Sequence, residues 1–102
     1  MSFNVRYDGV KVGFVEVELE KNSWVDVNEI EGVGGLEGLE FMLNEEFEDG
    51  TYYIVYKYIN DRNAVIYLIK DNEGAFEKAD KIAGKLYRNE IVLDNVDYMI
   101  EL

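Results

Sequence analysis

The chain has 102 residues and is strongly acidic, with 22 Asp and Glu residues, 10 Lys and Arg residues and a formal net charge of −12. A field of that sign repels a phosphate backbone, so direct nucleic-acid binding is not expected. Cys and His are both absent, which excludes disulfides, thiolate nucleophiles, a Ser-His-Asp arrangement and the commonest metal ligand. Because 48% of the residues are hydrophobic, we expect a folded chain with a single domain over residues 1–102.

Two observations bear on location. The chain contains no run of about 18 consecutive apolar residues, the length that suggests a membrane-spanning helix. The opening residues, MSFNVRYDGV, lack the apolar core of a signal peptide. We therefore expect a cytoplasmic protein that does not contact a membrane.

The first part of the chain alternates apolar and polar residues in the way that is typical of strands. Phe3–Tyr7 predicts a first strand, and Asp8-Gly9 predicts a turn. The apolar positions of the next run change phase, which predicts a bulge or a bend near Gly13–Val15. Lys21–Ser23 predicts a second turn, and Trp24–Val27 predicts a short returning strand.

A glycine-rich stretch at residues 32–35 interrupts this pattern and precedes a predicted helix. Apolar residues then recur at spacings of three and four: Leu36, Leu39, Leu43 and Phe47, with Met42 beside them. This spacing places them on one face of a helix of about 13 residues. Gly50 follows the last apolar position and is expected to end the helix.

The stretch Thr51–Lys70 gives the clearest pattern in the chain. Two runs rich in aromatic and β-branched residues flank the polar residues 60–63, which predicts a β-hairpin. Both strands are apolar on both faces, so we expect them in the middle of a sheet that is covered on each side. Helices can cover one face, and either the other β unit or another molecule must cover the second face.

A second helix is predicted after the hairpin, with Asp71 or Asn72 as its N-cap and Asn89 at its end. Its apolar stripe consists of Phe76, Ala79, Ile82, Ala83, Leu86 and Tyr87. Ile91–Leu93 predicts a short strand, and the alternation from Val96 to Leu102 predicts a last one.

The apolar pattern of the first half recurs in the second half at an offset of 40 residues. Such a match indicates a duplicated supersecondary unit. We therefore expect an α+β fold of two tandem β-β-α units, at about residues 10–49 and 50–89, closed by a strand at about residues 91–102. Two helices would pack on its mainly antiparallel sheet.

Aromatic residues are the candidate anchors for a protein partner, because Tyr and Trp are enriched in binding hot spots. The candidate protein-binding residues are Trp24, Tyr52, Tyr53, Tyr56, Tyr58 and Tyr98. The alternative interpretation is that the tyrosines of the hairpin fill the core or pair across strands.

Residues 1–50 carry most of the net negative charge. A candidate acidic rim is formed by Glu45, Glu46, Glu48 and Asp49. Such a face binds a basic partner or imitates nucleic acid, or else is a solvated surface that keeps a small protein soluble.

No pattern in the chain predicts catalysis or a cofactor. The phosphate-binding signature of a P-loop is absent, and the glycine-rich residues 32–35 have no basic residue beside them. The acidic residues Glu45–Asp49 lack the alternating oxygen spacing of a calcium loop. We therefore expect no enzyme activity, no metal site and no cofactor.

The stretches TYYIVYKYINDRNAVIYLIK and VDYMIEL show a chain rich in Tyr, Ile and Val, without Cys or His. In this composition the chain resembles the small orphan proteins of filamentous viruses that infect hyperthermophilic archaea. The resemblance extends over the whole chain but involves no motif, so it carries over no functional residue. It implies a setting in the host cytoplasm and no assignable enzyme activity.

These observations favour a non-enzymatic protein–protein interaction module. It would bind an extended peptide or a partner's strand at a sheet edge or in the groove between its units, with aromatic anchors and a carboxylate rim. Homodimerisation through the same surface is a variant of this hypothesis. The alternative function is an acidic mimic of nucleic acid that inhibits a DNA- or RNA-binding protein.

Overall fold

The computed structural model describes residues 2–7, 10–26, 40–60 and 63–101. The elements in chain order are β1 (Ser2–Tyr7), β2 (Val10–Leu19), β3 (Trp24–Asp26), β4 (Glu40–Met42), β5 (Gly50–Asn60), β6 (Asn63–Lys70), α1 (Ala75–Tyr87) and β7 (Tyr98–Glu101). The expected α+β class and antiparallel sheet are confirmed. The turn predicted at Asp8-Gly9 lies outside the described residues.

A five-stranded antiparallel sheet in the order β1-β2-β5-β6-β7 forms the centre of the fold. The predicted hairpin is confirmed, because β5 pairs with β6 from Tyr52 opposite Lys70 to Asn60 opposite Asn63. Its first strand, β5, is the middle strand of the sheet. That position suits a strand that is apolar on both faces.

The two faces of β5 belong to two separate hydrophobic clusters. Tyr53 and Val55 pack with α1, whose buried residues are Ala75, Ala79, Ile82, Ala83 and Leu86. Tyr52 and Ile54 lie on the opposite face, and the buried residues that cover them there are Val25, Phe41 and Leu43. The second face of the hairpin is therefore covered by the region of the small β3–β4 sheet, and no other molecule is needed to bury it.

Of the bulge or bend predicted near Gly13–Val15, the bulge is wrong. Strand β2 pairs with β5 in unbroken register from Lys11 opposite Tyr58 to Leu19 opposite Gly50. The apolar positions change phase because the covering layer changes. Val12 and Phe14 face the cluster of α1, whereas Val15 and Leu19 face the cluster that contains β3 and β4.

The first predicted helix is also wrong where the chain is described, while residues 36–39 lie outside the described residues. Residues 40–42 form β4, and no helix follows before β5 begins at Gly50. Phe41 and Leu43 are buried while Met42 between them is exposed, which is the alternation of a strand. Leu43 also accepts a backbone hydrogen bond from Asn22 (2.7 Å) and donates one to the carbonyl of Ser23 (3.0 Å). These long-range contacts override the helical spacing of the leucines.

The two tandem β-β-α units are accordingly not confirmed. Residues 50–89 contain β5, β6 and α1, as the second unit requires. The described part of residues 10–49 contains three strands and no helix. Among the described residues, the shared apolar spacing at an offset of 40 residues therefore does not correspond to the same order of elements.

The boundaries of α1 differ from prediction at one end only. The helix begins after Gly74, whose φ is 84°, and no side chain caps it, so the cap predicted at Asp71 or Asn72 is wrong. Asn89 has a φ of 58°, which confirms the left-handed residue predicted at the other end. The last strand begins at Tyr98 instead of Val96, Leu102 lies outside the described residues, and Ile91–Leu93 is not a strand.

Candidate functional site

The candidate anchors differ in how deeply the structure buries them. Tyr52, Tyr53 and Tyr56 are at most 7% exposed, so their rings fill the core on the two faces of β5. Tyr58 and Tyr98 are half-buried beside the same core. Trp24 is 70% exposed and is the most exposed member of this set.

The exposure of Trp24 follows from the geometry of β3. Side chains alternate across a strand, and Val25 points into the core, so its neighbours Trp24 and Asp26 point away from it. Trp24 lies opposite Met42 in the pairing of β3 with β4, and Met42 is also exposed. An indole and a thioether therefore lie side by side on the outer surface of the small sheet.

A groove of about 560 Å³ lies beside Trp24, between the end of β2, strand β3 and the start of β5. The described residues that line it are Val17, Glu18, Leu19, Glu20, Ser23, Trp24, Val25, Asp26, Asp49 and Gly50. Four of them are acidic and none is basic. We call this feature the Trp24 groove.

Hydrogen bonds hold the walls of the Trp24 groove in place. The backbone N–H of Lys21 donates to Asp49 Oδ1 at 2.8 Å, which joins the turn after β2 to the residues before β5. The Thr51 hydroxyl donates to the Glu18 carboxylate across the two strands. These two contacts fix the end of β2 and the turn after it against the start of β5, which together form one wall of the groove.

A second cavity, of about 360 Å³, lies between the loop before β5 and strands β5, β6 and β7. Its described lining residues are Asn44, Glu46, Phe47, Glu48, Tyr52, Lys70, Asp97 and Tyr98. The ring of Phe47 lies between two tyrosine rings, with its centroid 5.8 Å from that of Tyr52 and 5.1 Å from that of Tyr98. We call this feature the aromatic cavity.

Lys70 supplies the cation of the aromatic cavity. Its ammonium forms a salt bridge with Glu48 and lies 5.9 Å from the centroid of the Tyr52 ring. The hydrogen bond between Lys70 and Glu48 lowers the pKa of the Glu48 carboxyl and raises the pKa of the Lys70 ammonium. Desolvation raises the pKa of the Tyr52 hydroxyl, which donates a hydrogen bond of 2.7 Å to the Glu48 carbonyl.

The residues of the predicted acidic rim are all exposed, but they do not line one site. Glu46 and Glu48 line the aromatic cavity, Asp49 lines the Trp24 groove, and Glu45 lines neither. Sequence reasoning missed Glu18, which reaches the groove only through the pairing of β2 with β5. The alternating carboxylates of β2 were visible in the sequence, but the register that brings them beside Trp24 was not.

A third group of acidic side chains lies near the start of α1. Desolvation, followed by the charge of Glu16, raises the pKa of Asp71. Desolvation and a hydrogen bond with Glu16 raise the pKa of Tyr53 to about 12. In the part of the chain that the structure describes, no group of three or more Asp or Glu residues is arranged to hold a metal ion.

No helix within the described ranges combines the length and the apolar character that crossing a membrane requires. Comparison of the chain with protein-family models, with curated proteins and with solved structures finds no match.

Proposed function

We propose that this protein is a non-enzymatic interaction module that binds an extended basic segment of a partner protein in the Trp24 groove. One observation carries this proposal: a tryptophan that is 70% exposed borders a groove lined by four acidic residues. Large exposed aromatic rings of this kind are enriched among the residues that dominate binding energy. Trp24 therefore takes the anchoring role that the sequence had also assigned to the tyrosines of the hairpin.

The chemistry of the groove favours a cationic occupant. An arginine guanidinium or a lysine ammonium is attracted to the face of an indole ring, most strongly for tryptophan. Glu18, Glu20 and Asp49 are among the residues that line the groove, so their negative charges lie near any occupant, and exposed carboxylates can accept charge-assisted hydrogen bonds. Arginine fits best, because its planar fork both stacks on aromatic rings and pairs with carboxylates.

The shape of the groove favours an extended segment over a single small molecule. Its volume of about 560 Å³ accommodates more than one side chain. In an extended peptide every second side chain points to the same side, so alternate basic residues can enter one groove. A second copy of this chain would place further negative charge on the groove, so like charges oppose self-association through this surface.

Trp24 is the single tryptophan of the chain, so intrinsic tryptophan fluorescence reports directly on the groove. The test is a titration with an eight-residue peptide of alternating Gly and Arg, beside matched peptides that carry Gln or Glu at the Arg positions. We expect a saturable change in emission with the Arg peptide alone. Added salt should weaken the affinity, since it screens the carboxylates. Equal responses to the Arg and Gln peptides, or no response to any of them, would refute the proposal.

Two variants locate the binding by calorimetry. Trp24→Ala should lower the affinity for the Arg peptide about tenfold, since it removes the anchor. Glu20→Gln should lower it about threefold, as expected for one solvated charge pair. Glu73→Gln is the matched control, because Glu73 is exposed and does not line the groove. An unchanged affinity in Trp24→Ala would exclude Trp24 as the anchor.

A further inference from the structure

We propose that the aromatic cavity is a second binding site, and that its ligand is an alkylated ammonium group such as trimethylammonium. This site is separate from the Trp24 groove, since the two share no described lining residue. It therefore stands independently of the basic-peptide proposal.

The aromatic rings of the cavity supply the first argument. Phe47 contacts Tyr98 edge to face, with an interplanar angle of 74°, and contacts Tyr52 at a tilt of 52°. Phe47 and Tyr98 are half-buried and line the cavity, so part of each ring is open to it, whereas Tyr52 is 3% exposed and lies beneath them. Quaternary ammonium groups are bound in proteins by clusters of aromatic rings of this kind, because the ring faces are negative and the ligand is weakly hydrated.

The charges of the cavity supply the second argument. Three carboxylates line it, those of Glu46, Glu48 and Asp97, against the one ammonium of Lys70. The Lys70 ammonium is already paired with Glu48, and Asp97 Oδ2 accepts a hydrogen bond of 2.7 Å from the Lys70 backbone N–H. The remaining negative charge disfavours an anion and favours a cation.

Lys70 already places an ammonium beside the aromatic rings of the cavity. Its Nζ lies 5.9 Å from the Tyr52 ring centroid, within the range of a cation–π contact. The cavity keeps a volume of about 360 Å³ with this side chain in place, so a further group can enter. An alkylated ammonium fits that space better than a metal ion, because aromatic rings provide none of the oxygen ligands that a hard cation requires.

Two sources can present this group: a free small molecule such as choline, or a trimethylated lysine on a partner protein. The experiment is a calorimetric titration with choline chloride, with its uncharged isostere 3,3-dimethylbutan-1-ol, and with a glycine-flanked trimethyllysine peptide. We expect choline to bind at least about fivefold more tightly than the isostere. If the trimethyllysine peptide binds more tightly than choline, the natural ligand belongs to a partner protein. If choline binds more tightly, the natural ligand is a free small cation. Equal affinity for choline and the isostere would overturn the proposal.

Two variants that should change the choline affinity in opposite directions test whether the charges of the cavity favour a cation. Lys70→Met removes the competing ammonium but keeps an unbranched side chain of similar length, so choline affinity should rise about threefold. If Lys70 only supports the structure of the cavity, the affinity should fall instead. Glu46→Gln should lower the affinity about threefold. The adjacent Glu45→Gln is the control, because Glu45 is also exposed and does not line the cavity. A loss of affinity in Lys70→Met, or equal effects of Glu45→Gln and Glu46→Gln, would refute the assignment.

Discussion

Replacement of Leu43 by Ala tests whether the chain from β4 to Leu43 alternates between the core and the surface, as an extended segment does. Leu43 is 0% exposed and packs in the cluster that contains Tyr52 and Ile54. Truncation of a fully buried Leu costs about 2–5 kcal/mol, the sum of lost transfer free energy and a cavity. We expect a loss of about 3 kcal/mol, because Leu43 is held by backbone hydrogen bonds on both its N–H and its carbonyl and cannot shift to fill the space.

Met42→Ala is the matched control. On a helix with the leucine spacing, Met42 would lie beside the buried stripe, but in β4 it points outward and is 47% exposed. We expect its truncation to change the free energy of unfolding by less than about 1 kcal/mol. The free energy of unfolding can be measured by urea titration, in which an m-value of about 2 kcal/mol/M converts the Leu43 effect into a midpoint shift of about 1.5 M. Similar losses in the two variants would refute the alternating burial of Met42 and Leu43.

Three further predictions concern α1 and the residues around it. Gly74→Ala should destabilise the protein by about 1 kcal/mol in urea unfolding, because φ at Gly74 is 84°, and Gly74→Asn should cost less. Asp71→Asn should raise the melting temperature at pH 7. Because the folded-state pKa of Asp71 is raised, its cost to stability appears as pH rises above 3.8, so the gain should vanish in acid. Asp94→Asn should lower the melting temperature at pH 7, since hydrogen bonds led by that of Lys85 lower the pKa of Asp94, and this difference should disappear as pH falls below 3.8.

The central hairpin and α1 could be predicted because their patterns are long and local. Thr51–Lys70 combines two apolar runs with a polar break, and the stripe of α1 keeps its period over more than three turns. The outer members of that stripe, Phe76 and Tyr87, are nevertheless partly exposed. The period of the apolar residues predicts which face of a helix packs on the sheet. It does not predict how many residues of that face the sheet covers.

The stretch around β4 could not be predicted in the same way. Leu43 and Phe47 are four residues apart, a spacing that fits a helix. The alternation that indicates a strand spans only the few residues of β4, so the longer helical spacing of the apolar residues decided the prediction. The choice between the two was made by tertiary contacts, namely the pairing of Leu43 with the turn at Asn22 and Ser23.

The candidate sites were predicted only as isolated residues. Trp24 and the acidic residues near Asp49 were recognised by type, but their meeting at one groove depends on the register of β2 with β5. The aromatic cavity depends on Phe47, which the sequence placed on a helix, and on Lys70, which no pattern singled out. Tyr98 was predicted as a partner contact but not as a neighbour of Phe47.

The position of β5 in the middle of the sheet has a consequence for the order of folding. Its pairing with β6 and its packing against α1 involve residues that are near one another in sequence, so these contacts close short loops. Its pairing with β2 joins distant residues, such as Lys11 and Tyr58, and this closure costs more chain entropy. We therefore expect the segment from β5 to α1 to form first and the pairing with β2 to limit the folding rate. Until that pairing forms, one edge of β5 is open to other chains, so the slow step is also the step most exposed to aggregation.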